Sequence, residues 1–215
     1  MDAVRVAHLR EVLSGTEWVQ SARRFAGSLR ASVGPHQGGL LLVGTESYEP
    51  WHLAAHLDDE AAWSGLPELS PTLVRHRVPP SAPAHLSAGL GRIEAAGRRE
   101  TVLVVTPEQP GADLLERVHD ARRAGATVLA LDDRDAGDMG ELHGIAHDTL
   151  SADAAEVDLD TMQHLVSAAT GESFPGSRGP SGAPGLPAAG TRRRPFRDRL
   201  SRLADHLSAP PPSRW

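Results

Sequence analysis

The chain has 215 residues, 40% apolar and 23% charged, enough for one well-buried domain with appendages; aromatic residues are only 4%, so the core has to be built from Leu, Val and Ala. It has no cysteine, and all 22 basic residues are arginine, which excludes disulfides, thiolate chemistry, cysteine-ligated zinc, a Schiff-base lysine and a P-loop lysine. The net charge of −6 is unevenly spread: residues 191–215 carry seven Arg (192, 193, 194, 197, 199, 202 and 214) against Asp198 and Asp205, or +5, which leaves 15 positive and 26 negative groups, or −11, on the acidic remainder.

Residues 2–33 read as helical, with a break and capping box at Ser14-Gly15-Thr16-Glu17 as the alternative to one continuous helix. Ala22, Phe25, Ala26, Leu29 and Val33 fall on one helical face, and Gly34-Pro35 ends the element. Gly39 to Val43 is a short apolar run bounded by glycines, the pattern of a buried parallel strand. It runs into Gly44-Thr45-Glu46-Ser47 and then a helix over 49–63 with Leu53, Ala54, Leu57 and Ala61 inward. Strand, hydroxyl-bearing glycine turn and helix is the layout that places an anion at a helix N-terminus in an open α/β sheet.

Thr72 to Val78 alternates apolar and polar residues and predicts an edge strand, stopped by Pro79-Pro80. Residues 83–99 predict a helix with Leu86, Leu90, Ile93 and Ala96 on one side. Thr101 to Thr106 is the clearest central strand, followed by a loop in which Pro110 suits a first helical turn. Leu114, Leu115, Val118 and Ala121 line the next helix, and Thr127 to Leu131 the next strand. A turn or short helix over 139–144, a last strand over 145–150 and a helix over 158–169 complete the unit. Alternating strands and helices imply an α/β fold: a flavodoxin-like, three-layer parallel sheet of about five strands, order 2-1-3-4-5, with the most apolar strands inside. Residues 171–191 are Gly, Pro, Ser and Ala with little to bury and read as a disordered linker. Residues 192–215 form a basic segment in which Phe196, Leu200, Leu203 and Leu207 repeat with helical period, followed by a Pro-rich end.

The order of these parts resembles the sugar isomerase (SIS) domain, the phosphosugar-binding module of several isomerases and sugar-responsive regulators. Three stretches carry the likeness: Leu42-Val43-Gly44-Thr45-Glu46-Ser47-Tyr48, similar to the family's first loop; the strand–loop–helix–strand spacing from Val102 to Asp132; and Gly140 to Asp148. The resemblance covers residues 1–170 and implies a phosphosugar site made of Gly44, Thr45, Ser47, Thr106 and Gly111. The family's second loop reads Ser-x-Ser-Gly-x-Thr, whereas here Thr106-Pro107-Glu108-Gln109-Pro110-Gly111 keeps one hydroxyl. Glu108 puts a carboxylate where a phosphate lies in that family, and Pro107 and Pro110 remove two N–H donors.

Other groupings compete for attention. His52 and His56, and His143 and His147, each stand at i, i+4, a spacing that can hold a metal. The second pair lacks the glutamate of the metalloprotease helix, and with 11 His in the chain such pairs arise by chance, so no metal and no cofactor is expected. Asp132, Asp133, Asp135 and Asp138 form an acidic cluster after the fourth strand, read as a solvated acidic loop with a divalent-ion site as the alternative. No residue is singled out as a catalytic base. The expectation is a non-catalytic SIS-like module for regulation or scaffolding, a homodimer, whose basic segment Arg192 to Leu207 recruits a protein partner. The alternatives are a phosphosugar isomerase or phosphosugar-binding protein using Thr45, Ser47 and Thr106, and a protein whose basic segment lies on an anionic membrane. Sequence-specific nucleic-acid binding is not expected. No stretch approaches the ~18 apolar residues of a membrane span, and Met1 to Arg5 has no apolar signal core, so a cytoplasmic location is expected.

Overall fold

The computed structural model describes residues 17–34, 38–133, 140–153 and 155–171. The first half of the leading helix with its break, the linker from residue 172 on, the basic segment, and Asp135 and Asp138 lie outside the described residues.

Among the described residues, five strands form one all-parallel sheet: β1 (Gly39–Val43), β2 (Pro71–Val74), β3 (Glu100–Thr106), β4 (Thr127–Asp133) and β5 (Asp148–Ala152), in the order β2-β1-β3-β4-β5. This is the order read from the sequence, with β2 and β5 at the edges. The longer helices are α1 (Glu17–Ser32), α2 (Trp51–Ser64), α4 (Ala112–Arg123) and α6 (Leu159–Thr170); α3 (Gly91–Glu94) and α5 (Gly140–Ile145) are short.

The unbroken apolar runs of β1, β3 and β4 are split by the period-2 pleat into two cores. Leu40, Leu42, Leu103, Val105, Leu129 and Leu131 face one side, where Phe25 and Leu29 of α1, Leu53 and Leu57 of α2, and Met162, Leu165 and Val166 of α6 cover them. Leu41, Val43, Val102, Val104, Val128 and Ala130 face the other, under Ile93, Leu114, Leu115, Val118 and Leu142. Each Leu or Val removed from water contributes on the order of 1.5–3 kcal/mol before the entropy of ordering it. Asp158 caps α6, its Oδ1 accepting from Thr161 N at 2.8 Å, and Gly65 closes α2 with the left-handed φ of 69° that favours glycine.

Four element predictions need correction. The helix over 83–99 is replaced by a 3-10 turn (Ala84–Leu86) and the four-residue α3. Gly89, Gly91 and Gly97 weaken a helix there, and the chain instead pairs with the end of β2, Arg75 N donating to Ala88 O at 2.9 Å. β2 stops at Val74 because the next residues turn onto the loop after β1. β5 begins at Asp148, three residues later than read, because Ile145 completes α5 and packs on the second core. Pro110 precedes the helix: α4 starts at Ala112 behind an extended Gly111.

Candidate functional site

β1 and β3 are neighbours from which the chain leaves in opposite directions, toward β2 and β4 respectively. In an open α/β sheet this switch point opens a crevice at the C-terminal edge. The loops over 44–50 and 106–111 meet there. Gly44 starts the first, and no other residue fits: a Cβ on it would stand 1.9 Å from the carbonyl oxygen of Tyr48. The turn this permits buries Thr45 and leaves Ser47 exposed.

The structure joins the two loops through Glu108. Thr45 Oγ1 donates to Glu108 Oε1 at 3.0 Å, Ser47 Oγ donates to the same oxygen, and the two hydroxyl oxygens are 3.1 Å apart. These donations hold the Glu108 carboxyl below its ordinary range, the Ser47 bond being the larger cause and the Thr45 bond the second. Thr106, fully buried, uses its hydroxyl inside its own loop, donating to Glu108 O and accepting from Glu108 N at 3.2 Å. Gly111 is the N-cap of α4, and no side-chain hydrogen bond caps that helix. Of the five residues expected to bind a ligand, the structure brings Thr45 and Ser47 together, with Glu108 between the loops.

Two arginines steady the first loop. Arg75 pairs with Glu49 at 3.1 Å and lies 5.1 Å over the ring of Trp51; Arg77 pairs with Glu46. His76 Nε2 is 3.0 Å from Gly44 O, so it donates to that carbonyl. The carboxylates flanking Thr45 and Ser47 are thus each matched by a guanidinium.

The expected histidine pairs fare differently. His147 precedes β5 and its Nδ1 accepts from Val128 N at 3.0 Å. His143 turns instead to Asp132, its Nε2 2.5 Å from Oδ2. Asp132, next to last in β4, lies beside Thr106; its carboxylate is fully buried, and Oδ1 has no hydrogen-bond partner among the described residues. Sequence reading placed these two residues in separate groupings, an acidic loop and a helical pair; only the packing of α5 at the end of β4 joins them.

His52 and His56 do face one another, their Nε2 atoms 3.3 Å apart on the first turns of α2. A third ring, His164 of α6, completes the group, with centroids 4.6 Å from each of the other two. Burial, then the neighbouring His56 and His52, push the His164 imidazole down to about 4. His56 is lowered too, by burial first and His52 second. No short-range signal pointed to His164, which stands alone on its helix in the sequence.

No family model matches the chain, and no curated protein does. Solved structures do. One carrying the provisional description of a phosphosugar isomerase, from Silicibacter pomeroyi, superposes at a TM-score of 0.51 with 15% identity over 94% of this chain and 52% of its own. This chain therefore spans about half the length of that structure. The sugar isomerase domain of an RpiR transcription factor from Sphaerobacter thermophilus aligns over 77% of this chain and 82% of its own, at 15% identity and a TM-score of 0.46. The chain shares its fold with the first of these structures, the fold that the sequence resemblance implies.

Proposed function

We propose that this SIS-type domain works without catalysis, as a regulatory or scaffolding module whose switch-point loops are closed by its own Glu108. The observation that supports this reading is the pair of hydrogen bonds from Thr45 and Ser47 to Glu108 Oε1. Each hydroxyl has one proton to donate. With both directed at Glu108, neither serves an incoming phosphate, and the carboxylate itself repels one.

A thermal-shift screen of the full chain against inorganic phosphate and a panel of sugar phosphates tests this. The expected outcome is no shift for the native chain and a shift of several degrees for Glu108→Ser with at least one phosphate compound. A ligand present at about a hundred times its dissociation constant is sufficient to move the midpoint that far. A clear shift of the native chain by one sugar phosphate, lost in Ser47→Ala, overturns the reading and restores the phosphosugar isomerase or binder. That second reading draws its support from the converging hydroxyls and from the Asp132–His143 pair beside Thr106, which has the form of an oriented acid–base group.

A further inference from the structure

We propose that His52, His56 and His164 form a binding site for one divalent transition-metal ion of the zinc type. One ring nitrogen from each lies within 4.8 Å of the others, and among the described residues this is the one group of three or more metal-ligating side chains so placed.

The geometry carries the proposal. His52 and His56, one turn apart on α2, present their rings side by side. Their Nε2 atoms are 3.3 Å apart. Two nitrogens each about 2.0–2.1 Å from a tetrahedral zinc stand about 3.3–3.4 Å from each other, so this edge of the polyhedron is already set. α6 packs across α2 and brings His164 edge-on to both rings. Binding would draw the His164 nitrogen closer to the other two than the 4.8 Å within which the group now lies.

The alternative, a core histidine satisfied by its surroundings, does not describe His164. It is a buried residue whose Nδ1 has no hydrogen-bond partner among the described residues. Buried imidazoles are ordinarily bonded at their polar atoms. His52 and His56 hydrogen bond to each other through Nε2, with the His164 ring edge-on to both, so a cation bound by all three would take over lone pairs the packing has already gathered. Asp158 and Asp59 supply nearby negative charge to offset a dication.

The donor set names the class of ion. Three neutral nitrogens with no thiolate suit zinc, cobalt, nickel or copper and not magnesium or calcium, which take oxygen. His52 is exposed, so solvent reaches the group and can complete the coordination, the arrangement of three protein ligands and one open position. The site also adjoins the switch-point loops. His52 is on the first turn of α2, and Gln163, beside His164, donates to Tyr48 Oη at 2.9 Å. Neither the geometry nor the ligands depend on whether Glu108 closes those loops.

The test uses the full chain, stripped with a chelator and titrated with zinc and with cobalt(II). One ion per chain, a midpoint raised by several degrees and the strong visible absorption of a four- or five-coordinate cobalt imidazole centre are expected. His52→Gln and His164→Gln should each weaken binding at least about tenfold, the loss that even an outer-sphere partner can cause. His119→Gln, on the exposed face of α4, should not. Because His52 is exposed, its substitution leaves the core intact and decides the matter even if His164→Gln folds poorly. Binding unchanged in His52→Gln, or no stoichiometric binding by the native chain, overturns the proposal.

Discussion

Thr45 and Ser47 both donate to one oxygen of Glu108, and that oxygen is the better acceptor when ionised, which is why the carboxyl is held below its ordinary 4.5. The sign of the linkage follows. A depressed acid contributes stability that is present above its unfolded value and is lost as pH falls through the folded one. The cross-loop bonds are therefore complete at neutral pH and are released only in acid, below 4.5. Following the Glu108 side-chain carboxyl by NMR through an acid titration checks this: Ser47→Ala should return it toward the ordinary value, and Thr45→Val should do so by less. An unchanged titration in Ser47→Ala would sink the account of the closed site. The identity of Glu108 as an intruding carboxylate was legible in the sequence, because a charged residue stands in a loop that elsewhere carries serine. Its reach to Thr45 and Ser47 was not, since it depends on how two loops 61 residues apart lie across a strand gap. His164 shows the same limit more sharply. Helical period puts it on α6, and nothing in its neighbours says that α2 delivers two more rings to it.

Elements whose side chains repeat with one period over their full length were the ones the sequence could place. α1 owes its position to Ala22, Phe25, Ala26 and Leu29, all buried. Phe25→Ala should destabilise the chain by about 3–5 kcal/mol in urea denaturation, because a ring buried in the core that α1 shares with the sheet and α6 leaves a cavity its neighbours cannot fill. Trp63→Ala is the counterpart: the larger ring, on α2, is 67% exposed, and its loss should cost no more than about 0.5 kcal/mol. A large effect at Trp63 with a small one at Phe25 would contradict the layer assignment. The central strands were readable for a related reason, since only a strand covered on both faces is apolar at every position. Between 83 and 99 the reading failed. Leu86, Leu90, Ile93 and Ala96 imitate a helical stripe, but Ile93 and Ala96 alone are buried among them, and Gly89 joins the edge of the sheet. A long-range backbone pairing outcompeted a local pattern carrying three glycines.

At the scale of the whole molecule, the expectation of a homodimer began from apolar faces on the first and last helices. Among the described residues those faces are covered within the chain: α1 packs along α6, and Leu159 through Thr170 is buried almost without a break. What remains to favour association is charge, an acidic remainder of −11 with a basic segment of +5 whose Phe196, Leu200, Leu203 and Leu207 share a helical period. If the basic segment docks on the acidic domain of a second copy, its apolar stripe supplies the contact area and its arginines the steering. Such steering is screened over about 10 Å at 0.1 M salt. Sedimentation equilibrium of the full chain should then show a dimer at low salt that weakens as salt is raised, and truncation after Gly171 should abolish it. A dimer indifferent to salt and to truncation would place the interface on the α/β domain itself. A monomer under every condition would remove the homodimer and leave the basic segment to a different partner, with liposome sedimentation of the 191–215 peptide at low and high salt separating a membrane surface from a protein.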